Sequence, residues 1–185
     1  MDVEKDFADL CFLWNARGVE FLIVGGYAVA HHGAPRFTGD LDILIRPAIE
    51  SVEQMLGVLG EFGFPAHEVT ADYLLARGKI LQLGRVPVQV HIMTSISGLG
   101  WDEAWASRQL GAYGGVPVFF IGREALIANK RAAGRTKDLA DVDALGNVAG
   151  NKREPAKLSE VAGPKENPLI LLGKSLLRVR SCRHT

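Results

Sequence analysis

The sequence predicts an α/β fold in which helices pack on a mixed β-sheet and a pair of helices closes the domain. Short apolar runs rich in β-branched residues alternate along the chain with stretches whose apolar residues recur every three or four positions. These two periods are typical of strands and of amphipathic helices. Glycine or proline stands where one period gives way to the other, as expected at element ends. The alternation indicates one sheet covered by helices.

The first third of the chain alternates helical and strand periods. A glycine follows the first two helical stretches, and Pro47 follows the second apolar run, so these residues mark predicted ends. The predicted elements are a helix over 3–17, a strand over 19–24, a helix over 27–32, a strand over 40–45 and a helix over 49–62.

The remainder of the body predicts paired strands and a closing helical pair. Gly84-Arg85 separates two apolar runs and predicts a tight hairpin turn, and Gly134 separates the last two helices. The predicted elements are strands over 79–83 and 86–93, a helix over 99–108, a strand over 116–121, and helices over 123–133 and 137–148.

Composition divides the chain into a body over 1–148 and a basic linker and tail over 149–185. Lys plus Arg and Asp plus Glu number 21 each, which argues against a protein that coats nucleic acid by charge alone. From residue 151 onward, however, there are eight basic and three acidic residues among several glycines and prolines. We expect a partly disordered tail, or a short docking helix formed by the leucines at 169–172 and 176–177.

Cysteine usage and the N-terminus bear on location. Cys11 and Cys182 are the only cysteines, which provides no disulfide framework or zinc pattern and favours a reducing compartment. The first residues lack a basic segment followed by an apolar one, and no apolar run approaches the roughly 20 residues that cross a bilayer. We therefore expect a cytoplasmic protein without a membrane partner.

Asp40 and Asp42 form the strongest candidate for chemistry. They lie two apart on a predicted strand, so both carboxylates leave the same face and can share a cation. Oxygen ligands select hard ions, so Mg²⁺ or Mn²⁺ is expected. Two solvated aspartates at a strand end are the plain alternative. Gly25-Gly26 shifts the balance, because it joins a buried strand to a helix and its backbone N–H groups can face a triphosphate.

Together these residues resemble the signature of the nucleotidyltransferase superfamily, and more narrowly the AbiEii-type nucleotidyltransferases linked to toxin–antitoxin and phage-defence systems. The resemblance spans roughly residues 19–146. Its front motif contains Gly25, Gly26, Arg36, Asp40 and Asp42. Its rear motif contains Lys130, Arg135, Lys137, Asp138 and Asp141.

The resemblance implies a metal-dependent transfer of a nucleoside monophosphate from NTP to a hydroxyl, on RNA such as tRNA, on a protein or on a small molecule. It implies that Gly25 and Gly26 hold the triphosphate, that Asp40 and Asp42 hold the metal, and that Lys130 contacts a phosphate oxygen. Arg36 is a further candidate for the same anion. A cognate toxin or antitoxin partner is also implied. The plain alternative for Lys130, Asp138 and Asp141 is a solvated helix surface.

One departure from the pattern leaves two functions open. His91 stands where the family's third carboxylate is expected, and an imidazole is a poor ligand for Mg²⁺ but can bind Mn²⁺. The chain is therefore either an active nucleotidyltransferase with His91 near its metal, or a catalytically impaired member that binds a nucleotide or a partner as a regulatory module.

Overall fold

The structure, a computed structural model, describes residues 5–64, 69–85, 88–148 and 177–181. These residues form one mixed sheet of seven strands and seven helices. The helices are α1 (Lys5–Ala16), α2 (Gly25–His31), α3 (Ile49–Glu61), α4 (Ala71–Leu75), α5 (Trp101–Ala106), α6 (Arg123–Ala133) and α7 (Thr136–Val148). The strands are β1 (Phe21–Val24), β2 (Asp40–Ile45), β3 (Lys79–Arg85), β4 (Val88–Met93), β5 (Gln109–Tyr113), β6 (Val116–Phe120) and β7 (Leu177–Ser181). The predicted fold class is confirmed.

The order of strands brings the elements of the front motif to the middle of the sheet. The order is β5-β6-β1-β2-β4-β3-β7. β2 is central, with β1 antiparallel on one side and β4 parallel on the other. The end of β1, where the glycine pair follows, therefore lies beside the start of β2, which carries both aspartates.

The two faces of the central strands differ in chemistry. Ile23, Ile43, Ile92 and Leu81 are register partners across β1, β2, β4 and β3, and each is at most 1% exposed. One residue away on each strand, the side chains leave the opposite face. There Val24 is followed by a polar row, the register partners Asp42, His91 and Gln82. Strand alternation thus places this polar row on the face opposite the isoleucines, hereafter the polar face, which also carries the buried Leu22 and Leu44.

The helices pack as two groups. α1 and α3 contact each other and α3 contacts α4, whereas α2 contacts α6, and α6 packs against α7. Gly134, in the left-handed region at φ 66°, ends α6 and allows α7 to begin two residues later. This is the predicted closing pair. Within the described part of the chain, no helix combines the length and apolarity needed to cross a membrane.

The predicted turn at Gly84-Arg85 is wrong, because β3 continues through both residues. Gly84 pairs with Gln89 and Arg85 with Val88, so the ladder extends to the last described residue of β3. The connection at 86–87 lies outside the described residues, and β4 begins at Val88 instead of 86. The turn is predicted from Gly84, but this glycine lies inside the β3–β4 ladder.

Two short elements, α4 and β5, are not predicted from the sequence periodicity. α4 has five residues, too few to show a helical period, and Thr70 caps it by accepting a hydrogen bond from the Tyr73 backbone N–H at 3.2 Å. β5 is largely exposed, so it lacks an apolar run, and the predicted helix over 99–108 is correspondingly shorter, Trp101–Ala106.

The end of the chain contributes a strand. Leu177–Ser181 pairs antiparallel with β3 from Lys79 to Leu83, so the predicted short helix is wrong at Leu177. Residues 169–172 and 176, the rest of that prediction, lie outside the described residues. The prediction is wrong because it uses local periodicity alone. The free backbone donors and acceptors at the edge of β3, which are distant in sequence, pair with this segment instead.

Candidate functional site

Asp40 and Asp42 are the first and third residues of β2, and both side chains leave its polar face. The antiparallel register of β1 with β2 places Val24 opposite Asp42. The chain turns into α2 immediately after Val24. The Gly25-Gly26 turn and the aspartate pair, which the sequence analysis expected on neighbouring strands, are therefore brought together.

Gly25 touches the Asp42 carboxylate. Its φ is 62°, and a Cβ built on it would lie 2.0 Å from Asp42 Oδ2. Gly26 has a similar constraint, since its Cβ would lie 2.7 Å from Thr38 Oγ1. Side chains at either position would push into the residues around the aspartates. Two glycines are thus required by the close approach of the turn to β2, in addition to the left-handed backbone at Gly25.

His91 lies beside Asp42, as the alignment with the third carboxylate implied. The two residues are register partners on parallel strands, and His91 Nδ1 lies 3.0 Å from Asp42 Oδ1. Their side chains are 23% and 26% exposed, so both reach solvent. One oxygen of Asp42 therefore accepts a hydrogen bond from the imidazole, while the other faces Gly25.

The donor set suits one hard cation better than two. Asp40 and Asp42 supply carboxylate oxygens, the ligands that Mg²⁺ and Mn²⁺ prefer. His91 supplies a nitrogen that is directed at Asp42. Among the described residues, no three His, Cys, Asp or Glu side chains are grouped so that they could hold a metal ion. The oxygen donors of Asp40 and Asp42 are of the type that would hold a hard cation.

The rear motif forms a buried ion-pair cluster. Lys130, on α6, is 3% exposed, and its Nζ lies 2.8 Å from Asp138 Oδ1 and 2.9 Å from Asp141 Oδ2. Arg135 caps Asp138 from outside at 2.5 Å. The alternative of a solvated helix surface is wrong for Lys130, Asp138 and Asp141, because α6 and α7 pack these side chains against each other.

Arg36 joins this cluster to the loop before β2. Its Nε and Nη2 donate to the two oxygens of Asp141 at 2.5 and 2.9 Å, a bidentate arrangement that fixes the guanidinium. The hydrogen bond with Asp141 raises the pKa of Arg36, and the charge of Asp42 contributes in the same direction. Arg36 therefore ties the loop that leads to β2 to helix α7. Lys137, by contrast, is exposed on α7.

The cluster keeps its carboxylates ionised. Burial alone would raise the pKa of Asp138 and of Asp141. Hydrogen bonds from Arg135 and Lys130 to Asp138, and from Arg36 and Lys130 to Asp141, outweigh burial, so both pKa values lie below their ordinary value. Three cations face two carboxylates, which leaves one net positive charge beside the loop that leads to Asp40.

The aspartates lie away from a cavity at the other end of β2. A cavity of about 490 Å³ lies at the carboxyl-terminal ends of β2 and β4, where Leu44, Thr94 and Trp101 are among its lining residues. Asp40 and Asp42 lie in the first half of β2, where Asp42 adjoins the glycine turn, and they are not among the lining residues of this cavity.

Two neighbours of the aspartates are absent from the sequence prediction. Gln82, 5% exposed, continues the polar row beyond His91, and Thr38 packs against Gly26. A polar residue inside the apolar run Ile80-Leu81-Gln82-Leu83 is the signal for Gln82. No local signal identifies Thr38, because its partner is brought in by the turn.

Comparisons with known proteins agree on the fold. No protein-family model matches the sequence, and no curated protein matches it. Among solved structures, the lincomycin-bound lincosamide antibiotic adenylyltransferase LnuA matches with a TM-score of 0.52 and 14% identity, covering 78% of this chain and 97% of that one. The solution structure of the antibiotic-resistance factor ANT(2'')-Ia matches with a TM-score of 0.52 and 12% identity over 79% of this chain and 83% of that one.

A crystal structure of ANT(2'')-Ia in complex with adenylyl-2''-tobramycin matches with a TM-score of 0.50 and 14% identity, over 78% of this chain and 87% of that one. At this identity the likeness concerns the backbone arrangement alone. The chain has a nucleotidyltransferase-type mixed α/β fold.

Proposed function

We propose that the chain is a metal-dependent nucleotidyltransferase, which moves a nucleoside monophosphate from NTP to a hydroxyl acceptor. In that reaction the acceptor oxygen bonds to the α-phosphorus while the bond from this phosphorus to pyrophosphate breaks. The observation that carries the proposal is the contact of Gly25 with the Asp42 carboxylate, 2.0 Å from the position of a Cβ, within a nucleotidyltransferase-type fold. A phosphate-binding turn and a cation-binding pair must adjoin in this chemistry.

Each residue has a role that its surroundings support. Asp40 and Asp42 would hold the divalent cation, which when bound offsets the negative charge of the triphosphate. The backbone N–H groups of Gly25 and Gly26 bind the phosphates. Because no side chain of the described residues caps the start of α2, these groups can face an anion.

Arg36 is the cation best placed to meet the same anion. Its side chain is 35% exposed, whereas Lys130 is buried and engaged with two carboxylates. We therefore assign Lys130 and Asp141 the task of positioning Arg36. Arg135 and Asp138 close the cluster on its outer side, and Lys137 is a surface residue that remains available to the acceptor.

The second candidate is a non-catalytic nucleotide- or partner-binding module. The hydrogen bond from His91 Nδ1 to Asp42 Oδ1 favours it, because a nitrogen donor occupies an oxygen that would otherwise face a cation. The narrower AbiEii-type identity, a tRNA or protein acceptor, a cognate toxin or antitoxin, and a cytoplasmic location all remain proposals. The unpaired, buried thiol of Cys11 suits a reducing compartment.

A transfer assay separates the two functions. The protein is incubated with each NTP labelled at the α-phosphate, with Mg²⁺ or Mn²⁺, and with total tRNA or cell lysate as acceptor. Label transferred to one acceptor class by wild type, and lost in Asp42→Asn, supports the enzyme. NTP binding without transfer under any condition supports the regulatory module.

The variant His91→Asp tests whether the imidazole beside Asp42 limits transfer activity in Mg²⁺. This change replaces a nitrogen with an oxygen donor beside Asp42, so Mg²⁺-dependent transfer should rise at least about tenfold over wild type, with a smaller gain in Mn²⁺. The double change His91→Asp with Asp42→Asn is the control and should lose the gain. An unchanged rate in a folded, NTP-binding His91→Asp protein would show that His91 is not at the third ligand position.

A further inference from the structure

Phe37 has an unusual exposure for an aromatic residue. Its side chain is 92% exposed, whereas the other exposed large apolar residues of the described chain range from 37% to 58%. Single exposed apolar side chains are common on protein surfaces, so exposure alone identifies no function. The surroundings of Phe37 distinguish it from the others.

The backbone on both sides of Phe37 is anchored. Arg36 donates two hydrogen bonds to Asp141 and a third, from Nη1, to the carbonyl oxygen of Phe37 at 3.1 Å. Thr38 donates from Oγ1 to the carbonyl oxygen of Asp40 at 3.3 Å and packs against Gly26. These bonds hold the backbone that carries the exposed ring, which lowers the cost of ordering the loop when a ligand contacts it.

The position of the ring relates it to the aspartate site. Phe37 is three residues before Asp40, and its neighbour Thr38 reaches the glycine turn. Its other neighbour, Arg36, is a cation bound to Asp141 of α7. A flat apolar surface thus lies one residue from a cation and one residue from a proposed phosphate-binding turn. A planar base attached to phosphates has the complementary chemistry.

We propose that Phe37 is a stacking platform for a nucleobase bound at this site. This inference rests on the proposed function and specifies its recognition element. Every base offers a π-face to an aromatic side chain, and removing such a contact typically weakens binding by about fivefold to about a hundredfold. The base belongs either to the NTP or to a nucleic-acid acceptor, because both present a planar ring next to phosphate.

The experiment compares ligands with and without a base. Wild type, Phe37→Ala, Phe37→Leu and Phe37→Trp are titrated calorimetrically with α,β-methylene-ATP, inorganic tripolyphosphate and a single-stranded oligoribonucleotide, each with Mn²⁺. Leu110→Ala, a change at an exposed residue of β5, is the matched control. Thermal unfolding of every variant verifies folding, which an exposed position should preserve.

Phe37→Ala should lose at least about fivefold in affinity for a base-containing ligand and keep its affinity for tripolyphosphate, while Phe37→Trp retains binding. A loss confined to the nucleotide assigns the NTP base, and a loss confined to the oligonucleotide assigns an acceptor base. Equal affinities of wild type and Phe37→Ala overturn the inference, as does full affinity in Phe37→Leu or an equal loss for tripolyphosphate. A wild type that binds none of the three ligands overturns the proposed function itself.

Discussion

Gly25→Ala measures how tightly the glycine turn constrains the aspartate pair. The new Cβ would lie 2.0 Å from Asp42 Oδ2, and real Cβ atoms essentially never approach closer than 3.0 Å, so the carboxylate or the turn must move by about 1 Å. A left-handed φ of 62° costs a non-glycine residue about 1–2 kcal/mol, and overpacking adds about 1–3 kcal/mol. We expect a total loss of about 2–5 kcal/mol in unfolding free energy.

Gly18→Ala is the matched control. Its φ is 71°, but no described residue has an atom within 4 Å of the new Cβ, so the change carries the backbone cost without the collision. Urea unfolding of both variants therefore isolates the contact as the difference between them, about 1–3 kcal/mol. The NMR shift of the His91 imidazole, which hydrogen-bonds Asp42, should change in Gly25→Ala and not in Gly18→Ala.

The same displacement should impair the site more than the fold. A misplacement of about 1 Å at reacting groups can cost about a hundredfold in rate, so transfer by folded Gly25→Ala should fall by that order while Gly18→Ala keeps wild-type activity. Equal unfolding free energies and an unmoved His91 resonance in both variants would refute the claim that Gly25 touches Asp42.

Two further predictions concern the buried charges. Lys130→Met leaves two buried carboxylates without their shared cation, so the unfolding free energy measured in urea should fall by about 3–5 kcal/mol. Lys137→Met, at an exposed position of α7, is the control and should change the unfolding free energy by at most about 0.5 kcal/mol. Similar losses in both variants would contradict the buried cluster. Burial lowers the pKa of His32 below its ordinary value of 6.5, so the unfolded chain binds more protons and stability should fall as the pH drops below about 6.5. His32→Gln, which keeps a donor for the Ile121 carbonyl, should flatten this decline in unfolding free energy between pH 7 and 5, and an unchanged slope would exclude His32 as its source.

The front of the site follows from local rules. Asp40 and Asp42 share a face because strand side chains alternate, and a strand that stops at two glycines before a helix brings its end next to the following antiparallel strand. Both relations need only the period of two and the chain order. This is why the sequence suffices to bring the glycine turn and the aspartates together.

Local periodicity and chain order do not predict contacts that depend on strand register or on packing between distant elements. His91 bonds Asp42 across 49 residues of sequence, and a shift of one residue in the β2–β4 register would send its side chain into the core. The surroundings of Lys130 could not be predicted from local sequence either. Its helical spacing fits a solvated surface or a phosphate contact equally well, and only the packing of α6 on α7 shows a third arrangement, a buried pair of carboxylates around the ammonium.

The front and rear motifs are physically connected through a single side chain, that of Asp141. Asp141 binds both Lys130 and Arg36, and Arg36 lies 105 residues earlier in the chain, on the loop that ends at Asp40. Removing Asp141 would free Arg36 from α7 and leave the ammonium of Lys130 with Asp138 alone. The anchor of Phe37 would weaken with it, since Arg36 also donates to the carbonyl of that residue. The closing helical pair therefore holds the loop that leads to Asp40, through the hydrogen bonds of Arg36 with Asp141.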